Sequence, residues 1–192
     1  MILKAAALSP EILRQLLNYD PETGALTWKP RGENFFKQGR YSAARVAASW
    51  NKKHAGKPAF TAHNAYGYLF GRIFGVNHQA HRVAWAIFHG EWPREEIDHE
   101  NHVRDDNRLI NLRPVSKHQN CKNISLRSDN STGANGVYLN RRSGRYYAQV
   151  KVPGRTMSLG TYRTIQEARA ARSAADCAFG FHPNHGKAAS NA

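Results

Sequence analysis

Residues 97–120 read IDHENHVRDDNRLINLRPVSKHQN, and this stretch decides how the chain is read. It is too polar for a core element and too regularly spaced for an ordinary loop. Asp98 and His99 are adjacent, Asn111 follows His99 by twelve residues, and Asn120 follows by nine more. "EEID" predicts a short strand ending at His99, "ENHVRDDNRLINL" a polar loop, and "LRPV" a return strand. Ser116 is placed to N-cap a short helix over "SKHQNCKN". Neighbours on a strand point to opposite sides, so Asp98 and His99 can do different work. The return strand is expected to bring Asn111 beside His99, and the helix to bring Asn120 across from Asp98. A carboxylate and an amide oxygen are hard ligands of the kind magnesium and manganese take. His99 is then left to activate water, since histidine titrates near neutral pH. Asn111 is the expected partner of its other ring nitrogen.

The stretch resembles the HNH (ββα-metal) nucleases, in particular their phage and intron-encoded homing branch. "DH", then "NxxxNL", then an Asn on a short helix carry the resemblance, and "AHRVAWAIFHGEWP" looks like the family's lead-in helix. The resemblance implies one divalent metal held by Asp98 and Asn120, magnesium first and manganese as the alternative. It implies His99 as general base and Asn111 as the residue orienting it. The family often has His where this chain has Asn120, and His118 is the rival ligand. Two positions apart on a helix is about 200° of rotation, so His118 and Asn120 cannot both face one metal. Each residue also has an ordinary use: Asp98 as a turn cap, Asn111 as a turn amide, His99 as a core histidine. Arg104, Arg108 and Lys117 are candidate phosphate contacts, and His81, at the start of the lead-in helix, is read as structural.

A chain of 192 residues suffices for one ordinary domain or two small ones. The formal net charge is +14, with 17 basic and 11 acidic side chains through residue 121 and 11 and 3 beyond it. Such an excess points to a polyanion partner, most often nucleic acid. Cys121 and Cys177 form no CxxC pair, which argues against structural zinc and a disulfide framework and fits a reducing cytoplasm. The start of the chain is interrupted by Lys4, Pro10, Glu11 and Arg14, so no leader or membrane span is expected there.

Ser9 and Pro10 predict the N-cap and first position of a helix with Leu8, Ile12, Leu13, Leu16 and Leu17 on one stripe. "DPETG" reads as a turn and "ALTW" as a strand. Residues 31–65 have no firm period; loops and one short helix around "SAARVAASW" are expected. "YLFGRIF" and "NHQAH" look like strands joined at Gly75–Val76–Asn77. "AHRVAWAIFHG" reads as a helix with Val83, Ala84, Ile87 and Phe88 facing one way and Gly90 ending it. Residues 125–135, polar and unpatterned, read as a linker.

Beyond them, "GVYLNRRSGRYYAQVKVPGRTMSLGTY" predicts three strands with turns at Ser143–Gly144 and Pro153–Gly154, followed by a helix capped by Thr164 and closed before Gly180. "GVY", "LGTY" and the Ala-rich helix resemble the APETALA/ethylene-response-type DNA-binding domain, which is also found on phage HNH nucleases. That resemblance implies a sheet lying in the major groove with the helix behind it. Alternation puts Val137, Leu139, Tyr146, Ala148, Val150, Met157 and Leu159 against the helix. Tyr138, Asn140, Arg142, Tyr147, Gln149, Lys151, Thr156 and Ser158 fall on the other face, and all but Thr156, together with Arg145 and Arg155, are the candidate DNA contacts. The Trp-rich positions of the plant domains are here Tyr or Ser.

The expected fold class is α+β: a ββα-metal nuclease domain followed by a three-stranded antiparallel sheet plus one helix. The expected segments are 1–65 as lead-in, 66–124 as nuclease, 125–135 as linker, 136–185 as DNA-binding module and 186–192 as a fraying tail. The expected function is metal-dependent hydrolysis of double-stranded DNA by a cytoplasmic monomer encoded by a phage or mobile element, with no membrane partner. The alternative is a sequence-specific DNA-binding regulator with an idle nuclease fold.

Overall fold

The structure, a computed structural model, describes residues 8–187. Lys4 and the last residues of the expected tail lie outside them. The fold is mixed, with five α-helices and several small antiparallel sheets among the described residues. The described residues divide into two compact units, one of residues 8–99 and 103–114, the other of residues 100–102 and 115–187. No helix among the described residues is long and apolar enough to cross a membrane.

In the first unit, α1 (Pro10–Leu16) opens with Ser9 accepting a hydrogen bond from the Ile12 amide at 3.4 Å. It stops one residue earlier than its apolar stripe, because Leu17 is already extended and starts β1 (Leu17–Tyr19). Leu17 is buried all the same, since β1 pairs with β2 (Leu26–Trp28) and both pack on the leucines of α1. The segment without period contains α2 (Ala43–His54), capped by Ser42 and longer than expected, then β3 (Ala62–His63). β4 (Leu69–Ile73) and β5 (Val76–Gln79) pair antiparallel with Ile73 opposite Val76. The turn is therefore Phe74–Gly75, not Gly75–Val76–Asn77. Both residues have positive φ, 50° and 85°, the sign that a two-residue hairpin needs to match the twist of its strands.

α3 (Ala80–His89) ends on Gly90 at φ 78°. Its burial is not one-sided. Ala80, Val83 and Ala86 join the main core with Leu13, Leu16 and Ile73, while Ala84 packs with Ile97 and Leu112 in a second cluster. Phe88 falls outside both and is 49% exposed, contrary to the single-stripe reading. β6 (Glu96–His99) and β7 (Leu112–Val115) form a two-stranded sheet.

In the second unit, α4 (Lys117–Asn120) has the reciprocal capping box of Ser116 and Gln119. β8 (Val137–Asn140), β9 (Arg145–Val152) and β10 (Arg155–Tyr162) form an antiparallel sheet with β9 central. A register shift between Ser158 and Gly160 breaks the expected alternation. α5 (Ile165–Ala178) covers one face through Ala168, with Val137 and Ala148 beneath it. Leu139, expected on that face, is 43% exposed. Gly136 stands at φ 74° with the Arg172 guanidinium and the Gln149 carbonyl where a Cβ would go, so the "GVY" glycine has no substitute there.

Residues 125–135 pack within this unit. Thr132 is 4% exposed and its hydroxyl donates to the Val137 carbonyl at 2.8 Å, while Arg169 Nε donates to the Thr132 carbonyl at 2.7 Å. Residues 181–187 return alongside 122–126, with hydrogen bonds from the His182 amide to the Lys122 carbonyl and from the Gly186 amide to the Ile124 carbonyl.

Leu13 is fully buried among the leucines of the main core. Leu13→Ala is expected to destabilise the chain by about 2–5 kcal/mol, read as a lower urea midpoint.

Candidate active site

The last three residues of β6, Ile97, Asp98 and His99, are all buried. An aliphatic residue there is ordinary, but a buried carboxylate must be paired. Arg113 on β7 supplies the partner, its guanidinium donating to Asp98 Oδ2 through Nε at 3.1 Å and a terminal nitrogen at 2.8 Å. His99 is 3% exposed. Its ring meets that of His81 edge-on at 5.0 Å and lies 5.6 Å from that of Tyr68. Its Nε2 lies 3.3 Å from Asn107 Oδ1.

Burial pushes the His99 pKa down, against the opposing pull of the Asn107 hydrogen bond and the Asp98 and Asp106 charges. The ring is thus held neutral at physiological pH. A proton on Nε2, shared with Asn107, makes Nδ1 the basic nitrogen.

The loop carrying Asn107 is fixed from several sides. The Tyr19 hydroxyl donates to the Asn107 carbonyl at 2.8 Å, and burial raises that phenol to about 12, keeping it a donor. The Leu109 amide donates to the Pro21 carbonyl at 2.9 Å. Gly24, at φ 75°, sits so close that a Cβ would lie 2.6 Å from the Arg108 nitrogen and the Asn107 carbonyl carbon. From within the loop, Asn111 Nδ2 donates to the Asp106 carbonyl at 2.8 Å. Sequence reasoning named Asn111 as the orienting residue and did not name Asn107, whose contact with His99 the structure adds. One more asparagine in a polar loop carries no local mark, and its hold on His99 depends on a loop conformation anchored by residues near the chain start.

Arg104 donates to the Tyr66 carbonyl at 2.7 Å and lies over the Tyr68 ring. Arg108 makes a two-pronged pair with Asp106, at 2.8 and 2.7 Å, so its charge is already matched. Asn120 ends α4 in the second unit, where Lys117 and His118 are exposed. On the sheet, Tyr138 and Tyr147 are cross-strand partners with stacked rings 5.1 Å apart. Arg142, Arg145, Lys151, Arg155 and Ser158 are exposed and Gln149 is half-buried. Asn140 serves the turn, its Oδ1 accepting from the Arg142 and Ser143 amides at 3.0 and 3.2 Å. A cavity of about 560 Å³ in this unit is bounded by Tyr138, Gln149, Lys151 and Thr156 from the sheet and by His118 and Cys121.

Among the described residues no group of three or more His, Cys, Asp or Glu is placed to hold a metal. An Asp–Asn donor pair completed by water and phosphate oxygens is a site of a different kind. Asp98 fits that use in its hard-oxygen chemistry, and the Arg113 contacts fall on Oδ2.

Residues 78–122 match the model of a family described as HNH endonuclease. The match spans α3, β6, the Asn107 loop, β7 and α4, under a quarter of the chain, and supports nuclease activity on DNA for this part of it. Nothing matches among the curated proteins, and nothing among the solved structures.

His81 gives this region a pH signature. It is 4% exposed, its Nδ1 has no hydrogen-bond partner among the described residues, and burial foremost, helped by the neighbouring His99 and Arg82, lowers its pKa to about 3. An unfolded histidine titrates near 6.5. Between these values the unfolded chain binds a proton that the folded chain excludes. Stability is therefore full above about pH 6.5 and falls as the pH drops, by up to about 1.4 kcal/mol per unit from this group. Urea midpoints measured from about pH 7 to 5 are expected to decline in the unaltered chain and to decline less in His81→Leu.

Proposed function

We propose that the chain is a metal-dependent DNA endonuclease of the HNH homing kind, in which His99 is the general base. The observation that carries this reading is a histidine held buried and neutral, with Asn107 on one nitrogen, inside the segment matching the HNH family. In the reaction the oxygen of a water attacks a backbone phosphorus and its proton passes to His99. The bond from phosphorus to the 3′ oxygen breaks, and that oxygen takes a proton from solvent. The products carry a 5′-phosphate and a 3′-hydroxyl, as the family resemblance implies.

Asp98 would supply the carboxylate that holds one divalent cation, magnesium in the first instance. Such an ion supplies Lewis-acid stabilisation of the charge gathering on the phosphate. The carboxylate comes from Asp98, whose burial against Arg113 keeps it in one orientation. Asn107 fixes the tautomer of His99 and Asn111 fixes the loop that carries Asn107. The sheet of the second unit is assigned to double-stranded DNA, with Tyr138, Tyr147, Arg142, Arg145, Gln149, Lys151, Arg155 and Ser158 as contacts and Lys117 and Arg104 on phosphates. Arg108 is the weaker candidate, because a phosphate would have to displace Asp106 from it.

Supercoiled plasmid carrying sequence from around the gene is expected to become open-circular or linear with magnesium, and to stay intact in EDTA. His99→Ala should abolish conversion. Intact plasmid under all conditions beside a clear gel shift would instead favour a binding-only regulator. Asn107→Ala is expected to slow cleavage by about 10–100-fold, the usual cost of removing a partner that fixes a site histidine. Asn107→Asp should recover part of the rate, because a carboxylate still accepts from Nε2.

A further inference from the structure

We infer that the exposed face of α2 is a second DNA-contacting surface, gripping the phosphate backbone of duplex DNA. Between Glu33 and Glu91 the chain carries eight Lys and Arg and no Asp or Glu. Six of the eight, Lys37, Arg40, Arg45, Lys52, Lys53 and Lys57, cluster on α2 and its flanks and are all exposed. None of the six is in an ion pair among the described residues. This differs from the segment around the candidate site, where Arg108 and Arg113 already face carboxylates.

The inner face of α2 is firmly held. Ala47 is buried, Trp50 packs edge-on to Trp28 at 5.7 Å, and the Asn51 side chain exchanges two hydrogen bonds with the Arg31 backbone at 2.8 and 3.0 Å. The Arg31 guanidinium lies over the Trp50 and Trp28 rings at 4.0 and 4.7 Å, locking the helix to the strand before it.

That anchoring leaves Arg45, Ala48, Ser49 and Lys52 in one outward row at helical spacing, with Lys53 beside it. The small residues between the cations allow a backbone to approach. Arg45 and Lys52 stand about 10.5 Å apart along the axis, close to the rise of three base steps. At the N-terminal end Tyr41 is 49% exposed, with the Arg45 and Arg40 guanidinium carbons 4.8 and 5.8 Å from its ring. An unneutralised row of cations on a rigid helix fits a phosphate backbone and carries no base-reading pattern, so it contributes affinity and orientation.

The inference rests on the DNA endonuclease reading and extends it, and its test separates the two. Binding of a mixed-sequence linear duplex to the full chain is measured in EDTA over a range of salt, for the unaltered chain and for Arg45→Ala/Lys52→Ala/Lys53→Ala. Alanine is the best helix former, so α2 is preserved, which circular dichroism checks. An Arg94→Ala/Arg163→Ala/Lys187→Ala chain removes the same charge elsewhere. The salt slope of the α2 variant should fall by about 1 per lost contact, about 3 in all, with binding weakened alike on unrelated sequences. The control should change little. Unchanged slope and affinity in the α2 variant, with strong binding by the unaltered chain, overturns this inference and leaves the nuclease reading standing. Equal losses in variant and control reduce it to net charge and also overturn it. No binding by the unaltered chain removes both.

Discussion

The candidate site depends on burying Asp98 and His99 together at the end of a short strand. A carboxylate and an imidazole with 8% and 3% exposure are costly there unless every charge has an answer. Arg113 answers Asp98 from the neighbouring strand, and the histidine answers by staying neutral. The remaining requirement is a partner for the ring nitrogen that keeps its proton. Asn107 meets it from a loop that has no regular structure of its own, so the loop must be held from outside.

This gives the chain's first helix and hairpin a purpose. Their leucines build the main core, and the turn between β1 and β2 presents Tyr19, Pro21 and Gly24 to the Asn107 loop. The turn is itself stiffened by Asp20, which accepts from the Glu22 amide at 2.9 Å and the Thr23 hydroxyl at 2.7 Å. α3 completes the support. It contributes His81 to the ring cluster around His99 while its two sides fill two cores, so its helical stripe is broader than a one-faced amphipathic pattern.

The charge of the chain divides by what each cation already holds. Arg108, Arg113 and Arg172 are tied to carboxylates, and Arg31 lies over two tryptophan rings; all four are part of the architecture. The cations along α2 and most of those on the sheet of the second unit are exposed. A net charge of +14 counts both kinds equally, yet only the second kind is ready to exchange its counterions for a polyanion.

Much was legible from the sequence because the responsible interactions are local. Ser9, Ser116 and Thr164 cap helices within three residues of themselves, Gly90 and Gly180 take positive φ at helix ends, and Ser143–Gly144 and Pro153–Gly154 stand where strands turn. The spacing from Asp98 to Asn120 likewise carried the family resemblance in one short stretch, and residues 78–122 match the HNH family. Tertiary structure decided what depends on distant partners. Asn107 reaches His99 because of a tyrosine 88 positions away, and the Arg113 pair closes over 15. The aperiodic segment after residue 31 became ordered through aromatic packing around Arg31, and the supposed linker through Thr132 and Arg169. Caps and turns are written in backbone preferences that a few residues express alone. Which side chain meets a buried histidine is set by packing, and the amino-acid order near that histidine does not contain it.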